Sequence, residues 1–173
     1  MLPTSSNLID AIVEGWKDYH SQLVLIVGSL TPEQCTIRVA PNLRSVGEIV
    51  AHIIAARAGW FYDVLHEGSD EIGAMGHWDE EDQPDRTPAE FVSALQGTWK
   101  MIEDALTRWT PQYLAVQIVL PWIGPKYPIT RPWVIWHLIE HDLHHGGELA
   151  HTLGMQGLTI ELPPGPPADA GQE

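Results

Sequence analysis

Cysteine is nearly absent. Cys35 stands alone in 173 residues, so no internal disulfide can form and nothing points to an oxidising compartment. Basic side chains are scarce as well. Nine lysines and arginines face 23 aspartates and glutamates, and the formal charge of -14 repels phosphate backbones and anionic headgroups, which argues against nucleic-acid and membrane-surface partners. No segment approaches the roughly 20 apolar residues that span a bilayer, and the opening MLPTSSNLIDAIVEGW lacks a basic stretch followed by a long apolar run. These absences lead to the expectation of a soluble, cytoplasmic chain. Two catalytic signatures are also missing, the metalloprotease H-E-x-x-H and a glycine-rich phosphate loop followed by Lys and Ser or Thr. A di-iron bundle needs Glu-x-x-His on each of two helices, whereas Glu148 to His151 is the one instance here. Cys35 is far in sequence from every histidine, with nothing visible to lower its pKa, and carries little weight as a nucleophile.

What is present is helical periodicity, in a chain long enough to bury about 70% of its unfolded surface. Apolar residues recur at helical spacing from Ser5 to about Leu30, among them Leu8, Ile12, Trp16, Tyr19, Leu23 and Val27, which predicts a long amphipathic helix. Thr31-Pro32-Glu33-Gln34 reads as a cap followed by proline, and predicts a short helical turn. Ser45 with Glu48 is a capping-box pattern that opens a second long helix, running to about His66. Thr87-Pro88 opens a third, to about Arg108, with an apolar stripe of Phe91, Leu95, Thr98, Trp99, Ile102 and Leu106.

Between these two helices, residues 67 to 86 hold eight carboxylates among glycines and a proline and read as a long acidic loop. Such a run is most often a solvated surface, although His77 and Trp78 suit a lid. From Thr110 to Pro132 the chain is rich in proline and β-branched residues and should cross between helices, with a short extended pair near Val116 to Leu120. A fourth helix runs from near Thr130 to Gly154. The expected fold is all-α: a four-helix bundle as one domain over residues 1–160, with the acidic loop between helices two and three and a proline-rich C-terminal tail over residues 161–173.

The densest chemistry lies in WHLIEHDLHHGGELAH, residues 136–151, which holds five of the nine histidines. At about 100° per residue, His137, His141, His144, His145, Glu148 and His151 fall within an arc of roughly 120°. His141 and His145 stand one turn apart and can both reach an ion above the helix, at the nitrogen distances of about 2.0–2.1 Å that zinc takes. Two ligands from one helix make half a site. His52 shares its side of the second helix with the small residues Ala55, Ala56 and Gly59, and supplies a third ligand from a helix that can pack against the fourth. Three histidines leave a coordination position open, as catalytic rather than structural sites do. A lone H-x-x-x-H arises often by chance, and His137, His144 and His151 suit ordinary hydrogen-bonding or surface roles, as His20 and His66 suit structural ones. Five histidines on one face are harder to attribute to solvation, since lysine and glutamate favour a helix more.

SVGEIVAHI, with His52, and HDLHHGGELAHTLGMQG, with His141 and His145, resemble the DinB/YfiT-like superfamily of bacterial metal-binding four-helix bundles over residues 5 to about 160. The resemblance implies that His52, His141 and His145 bind a divalent metal, commonly zinc or nickel and after these iron, and that the protein is a homodimer. It implies a small-molecule substrate: transfer of a low-molecular-weight thiol such as bacillithiol, mycothiol or glutathione to an electrophile, isomerisation of its adduct, or hydrolysis. The chain departs from the family's H-R-G-Q ending, because His145-Gly146-Gly147-Glu148 replaces the arginine with glycine and the glutamine with glutamate. Arg44 also stands where the family often has an aromatic residue.

The leading reading is therefore a metal-dependent transferase or hydrolase, with Glu148 as the nearest general base. In it a bound water has its pKa lowered to about 7, or a substrate thiol binds as the thiolate. The alternative is a non-catalytic metal-binding or stress-related bundle. A third reading makes the histidines pH-sensitive surface groups, each titrating near 6.5. Trp122, Tyr127, Trp133 and Trp136 are candidates to line an apolar pocket, although tryptophans at helical spacing are more often core.

Overall fold

In the computed structural model, which describes residues 8–162, these expectations become four long helices and three short ones. They are α1 (Leu8–Ser29), α2 (Pro32–Cys35), α3 (Val46–Gly59), α4 (Asp70–Ala74), α5 (Pro88–Arg108), α6 (Pro111–Leu114) and α7 (Arg131–Gly154). Three helices begin on reciprocal capping boxes, Thr31 with Gln34, Ser45 with Glu48 and Thr87 with Glu90, each satisfying backbone N–H groups that the first turn leaves open. α1 packs along α5 and α3 along α7. Among the described residues no helix is long and apolar enough to cross a membrane.

Four details differ from the sequence expectation. Leu8 and Ile12 are exposed, and burial on α1 starts only at Trp16. The second long helix stops regular winding at Gly59 and continues as a π-helical turn, Trp60–Val64, in which Leu65 N–H donates to the Trp60 carbonyl. The acidic stretch is not simply a loop: Ser69 caps α4, and a 3-10 turn, Met75–His77, follows it. The crossing between α5 and α7 contains α6 and an antiparallel bridge between Ile118 and Ile129. Most of the expected tail, residues 163–173, lies outside the described residues, while Leu158, Ile160 and Leu162 pack against the core.

The apolar core is split in two. One cluster gathers Leu23 and Val27 with Ile49, Ile53, Leu95 and Leu149; the other gathers Trp16 with Phe61, Trp99, Ile102, Val134 and Leu138. Between the two clusters each long helix carries buried polar groups: Tyr19 and His20 on α1, Arg57 on α3, Thr98 on α5 and Asp142 on α7. Arg57 and Asp142 have fully buried side chains, and the guanidinium holds the carboxylate through Nε and through Nη2, the latter at 2.7 Å. Trp16 Nε1–H donates to the same carboxylate at 2.7 Å, and Arg57 Nη1–H donates to His20 Nδ1 at 3.2 Å. A buried charge pair needs such company, because each unsatisfied polar atom in this layer costs its lost hydration.

His20 stacks on Trp99 at 4.7 Å, and its pKa is pushed down to about 3, mainly by burial and then by the Arg57 charge. Folded His20 stays neutral, while unfolded His20 takes a proton below about 6.5. Its contribution is therefore complete above that pH and shrinks as pH falls toward the folded value, by about 2 kcal/mol at pH 5. Urea midpoints at pH 7.5 and 5 should show this loss, and His20→Gln should have a smaller one; equal losses in both proteins would remove His20 as the cause.

Candidate metal centre

α3 and α7 bring His52, His141 and His145 together, with one ring nitrogen of each within 4.8 Å of the others. His52 Nε2 and His141 Nε2 face each other at 3.2 Å, and the ring centroids of the trio are 4.4 to 4.8 Å apart. All three residues expected from the sequence thus meet at one point. His144, His145 and Glu148 form a second group of metal-capable side chains among the described residues, sharing His145 with the first.

Two carboxylates orient the trio. His52 Nδ1–H donates to Asp79 Oδ2 at 2.6 Å, and His145 Nδ1–H donates to Glu148 Oε2 at 2.6 Å. With the proton on Nδ1, each ring presents its Nε2 lone pair inward. Burial depresses the pKa of His141 to about 3, helped by the neighbouring histidines, and burial lowers that of His145 against the pull of Glu148. Both rings are neutral at neutral pH, the form in which imidazole accepts a cation. His141 Nδ1 is buried with no hydrogen-bond partner.

Asp79 was not legible as a site residue, since it is one of eight carboxylates in the acidic stretch. The fold selects it. Gly76 comes so close to α3 that a side chain there would meet the Gly59 backbone at 3.4 Å, and this contact carries the chain on to Asp79 beside His52. In the stretch read as most often a solvated surface, His77 is exposed and paired with Glu80, while Trp78, the other residue that suits a lid, packs against Phe91 and the core. His137 donates to Glu140 and stacks on Trp133; His144 and His151 are exposed. His66, two residues beyond the π-helical turn, takes φ 56° where the chain leaves the helix. Cys35 is buried, which pushes its thiol pKa up and fits its exclusion as a nucleophile.

The glycine pair after His145 also has a physical reading. A methyl group at Gly146 would overlap the Tyr19 hydroxyl, which donates to the Asp142 carbonyl at 3.1 Å, so Tyr19 fills the place where the resemblance leads one to expect an arginine. At Gly147 nothing lies within 4 Å of where a Cβ would stand. Gly146→Ala should therefore destabilise by about 1–3 kcal/mol through overpacking, and Gly147→Ala should stabilise by up to about 1 kcal/mol through helix propensity. Urea denaturation of the two variants checks the opposite signs.

A cavity of about 360 Å³ opens over the site, lined by His137, Glu140, His141, His144 and His145. A separate groove of about 830 Å³, to which Asp79 also contributes, is lined by Ser45, Trp78 and the arginines 38, 44 and 86.

The chain is similar to known proteins in sequence and in fold. A Bacillus subtilis (strain 168) protein with the name Uncharacterized protein YrdA is 24% identical over 154 residues, covering 88% of this chain and 85% of that protein. The crystal structure of a DinB-like protein from Bacillus cereus ATCC 10987 matches with a TM-score of 0.67 at 19% identity, covering 91% of this chain and 97% of that one. A DinB-like protein from Bacillus subtilis, YjoA, matches with a TM-score of 0.60 at 17% identity, covering 88% and 96%. A model of the DinB superfamily matches residues 17–149, a span that takes in all three histidines and most of the four long helices, and the chain belongs to that superfamily.

Proposed function

We propose that the protein is a divalent-metal-dependent enzyme acting on a small molecule, as a thiol-dependent S-transferase or a hydrolase, with His52, His141 and His145 holding the ion. The observation that carries the reading is the pair of Nε2 atoms facing each other at 3.2 Å, one of them on a ring whose Nδ1 is committed to Asp79. Two nitrogens at about 2.0–2.1 Å from a tetrahedral ion stand about 3.3–3.4 Å apart, so the spacing suits a shared cation. Zinc or nickel fits neutral imidazoles, with iron third. When bound, such an ion supplies Lewis acidity at an open position, where the pKa of a water or thiol falls.

The chain's own residues have separable tasks. Asp79 fixes the tautomer and direction of His52, and Glu148 does the same for His145. Glu148 is also the more exposed of the two carboxylates, and in this reading it takes up the proton released by the nucleophile. The cytoplasmic, homodimeric, single-domain form over residues 1–160 belongs to the same proposal. Support for a subunit contact comes from exposed apolar residues such as Leu8, Ile12 and Leu143.

Metal analysis of protein purified without chelator should find one equivalent per chain. Asp79→Ala should bind zinc 10–100-fold more weakly, by competition titration, with an unchanged fold. Protein that carries no metal and takes up none would overturn the reading.

A further inference from the structure

An aromatic cluster adjoins the cavity at His137, one of the residues that line it. Trp133 stacks on His137 at 5.1 Å and 14°, and Trp60 closes on both, at 5.6 Å from Trp133 and 5.0 Å from His137. Trp60 is the first residue of the π-helical turn, a distortion often found where a helix has been adapted for function. Trp133 keeps 42% of its surface exposed, so the aromatic cluster faces open space rather than core. His137 links it to the site, with its ring 6.1 Å from that of His141.

The charges around this cluster are of one sign. None of the nine basic side chains lines the cavity. Arg57 is sealed in the core, Lys17, Lys100 and Arg108 are paired with carboxylates elsewhere, and Arg38, Arg44 and Arg86 line the separate groove. Lys126 and Arg131 lie over tyrosine rings. On the site's side stand Asp79, Glu148 and, in the cavity lining, Glu140. A divalent ion would be balanced by Asp79 and Glu148, which leaves Glu140 and the overall charge of -14 to repel anions.

We propose that Trp60, Trp133 and His137, with Glu140 beside them, form the substrate subsite of this centre, and that it takes an aromatic compound that is positively charged or neutral, not anionic. The proposal rests on the three-histidine reading above and names the substrate class for it. Indole faces attract both flat rings and cations, and a carboxylate at the edge favours the cation further.

The test uses the cobalt(II)-loaded full chain and probes that carry no amine, thiol or carboxylate ligand for the ion. Binding of benzyltrimethylammonium, cyclohexyltrimethylammonium, benzyl alcohol and benzenesulfonate is followed by tryptophan fluorescence, while cobalt absorption reports the histidines independently. Benzyltrimethylammonium is expected to bind at least tenfold more tightly than benzenesulfonate and fivefold more tightly than its saturated analogue. Trp133→Ala should cost fivefold or more with an unchanged cobalt spectrum, and Glu140→Gln should weaken the cation but not the alcohol. Equal binding of the sulfonate or the saturated cation overturns the proposal. So does a Trp133→Ala variant that binds normally, or one whose main effect is a change in sedimentation, which would make the aromatic cluster a contact between subunits. A cobalt spectrum without histidine ligation is a failure of the metal reading and is seen before any probe is added.

Discussion

Changing His141 and His145 together to alanine is expected to abolish tight divalent-metal binding while leaving the bundle folded. What remains is His52 with Asp79, a single imidazole and its carboxylate. Loss of one orienting partner weakens a metal site 10–100-fold, so loss of two ligands should exceed that range. Neither histidine belongs to the two apolar clusters, and the polar layer between them keeps Asp142, Arg57 and His20. Wild-type protein should gain about 4 kcal/mol of stability from metal at a thousand times its Kd, seen as a rise in Tm, and the double variant should gain none. A variant that still gains as much stability would place the ion elsewhere.

Arg57→Ala should cost about 3–5 kcal/mol, a large share of the 5–15 kcal/mol that holds a typical domain together. The loss comes from what is left behind. Asp142 would remain fully buried with Trp16 as its side-chain donor, and His20 would lose the guanidinium that faces it. Replacing both partners, as Arg57→Met with Asp142→Leu, should recover much of the deficit, since well-packed apolar groups often substitute for a buried pair at little cost. The residue of the cost is the unpartnered indole N–H, about 1–3 kcal/mol. A single variant within about 1 kcal/mol of wild type in urea would show that the layer is not held by this pair. Position adds a second effect. Arg57 is five residues after His52 and Asp142 directly follows His141, so the pair also holds the two halves of the histidine cluster at one level.

How much of this was readable beforehand follows from the range of each interaction. Helix starts at Thr31, Ser45 and Thr87 are local chemistry, completed within three residues, and all three stand where their capping patterns place them. The pairing of His141 with His145 is equally local. His52 was reachable through its small neighbours and through the resemblance, although 89 positions separate it from His141. Asp79 was not, because its worth lies in a contact across 27 positions that seven other carboxylates offered equally well. Asp142 falls outside the arc of histidines, and its partner is 85 positions away. Leu8 and Ile12 failed for the opposite reason: a periodic stripe records what a helix can bury, not whether a neighbour is there to cover it.

The π-helical turn makes α3 a helix of two phases. The wider turn absorbs one extra residue, so everything beyond it lies about 100° behind where unbroken α-winding of the same sequence would place it. With unbroken winding Leu65 would swing out of the core, and Glu67 would leave the Arg108 guanidinium and the Trp109 N–H that it now accepts from. His52, eight residues before the turn, would keep its direction. The face that carries chemistry and the face that anchors the bundle are thus brought into register by a single extra residue, absorbed in the π-helical turn.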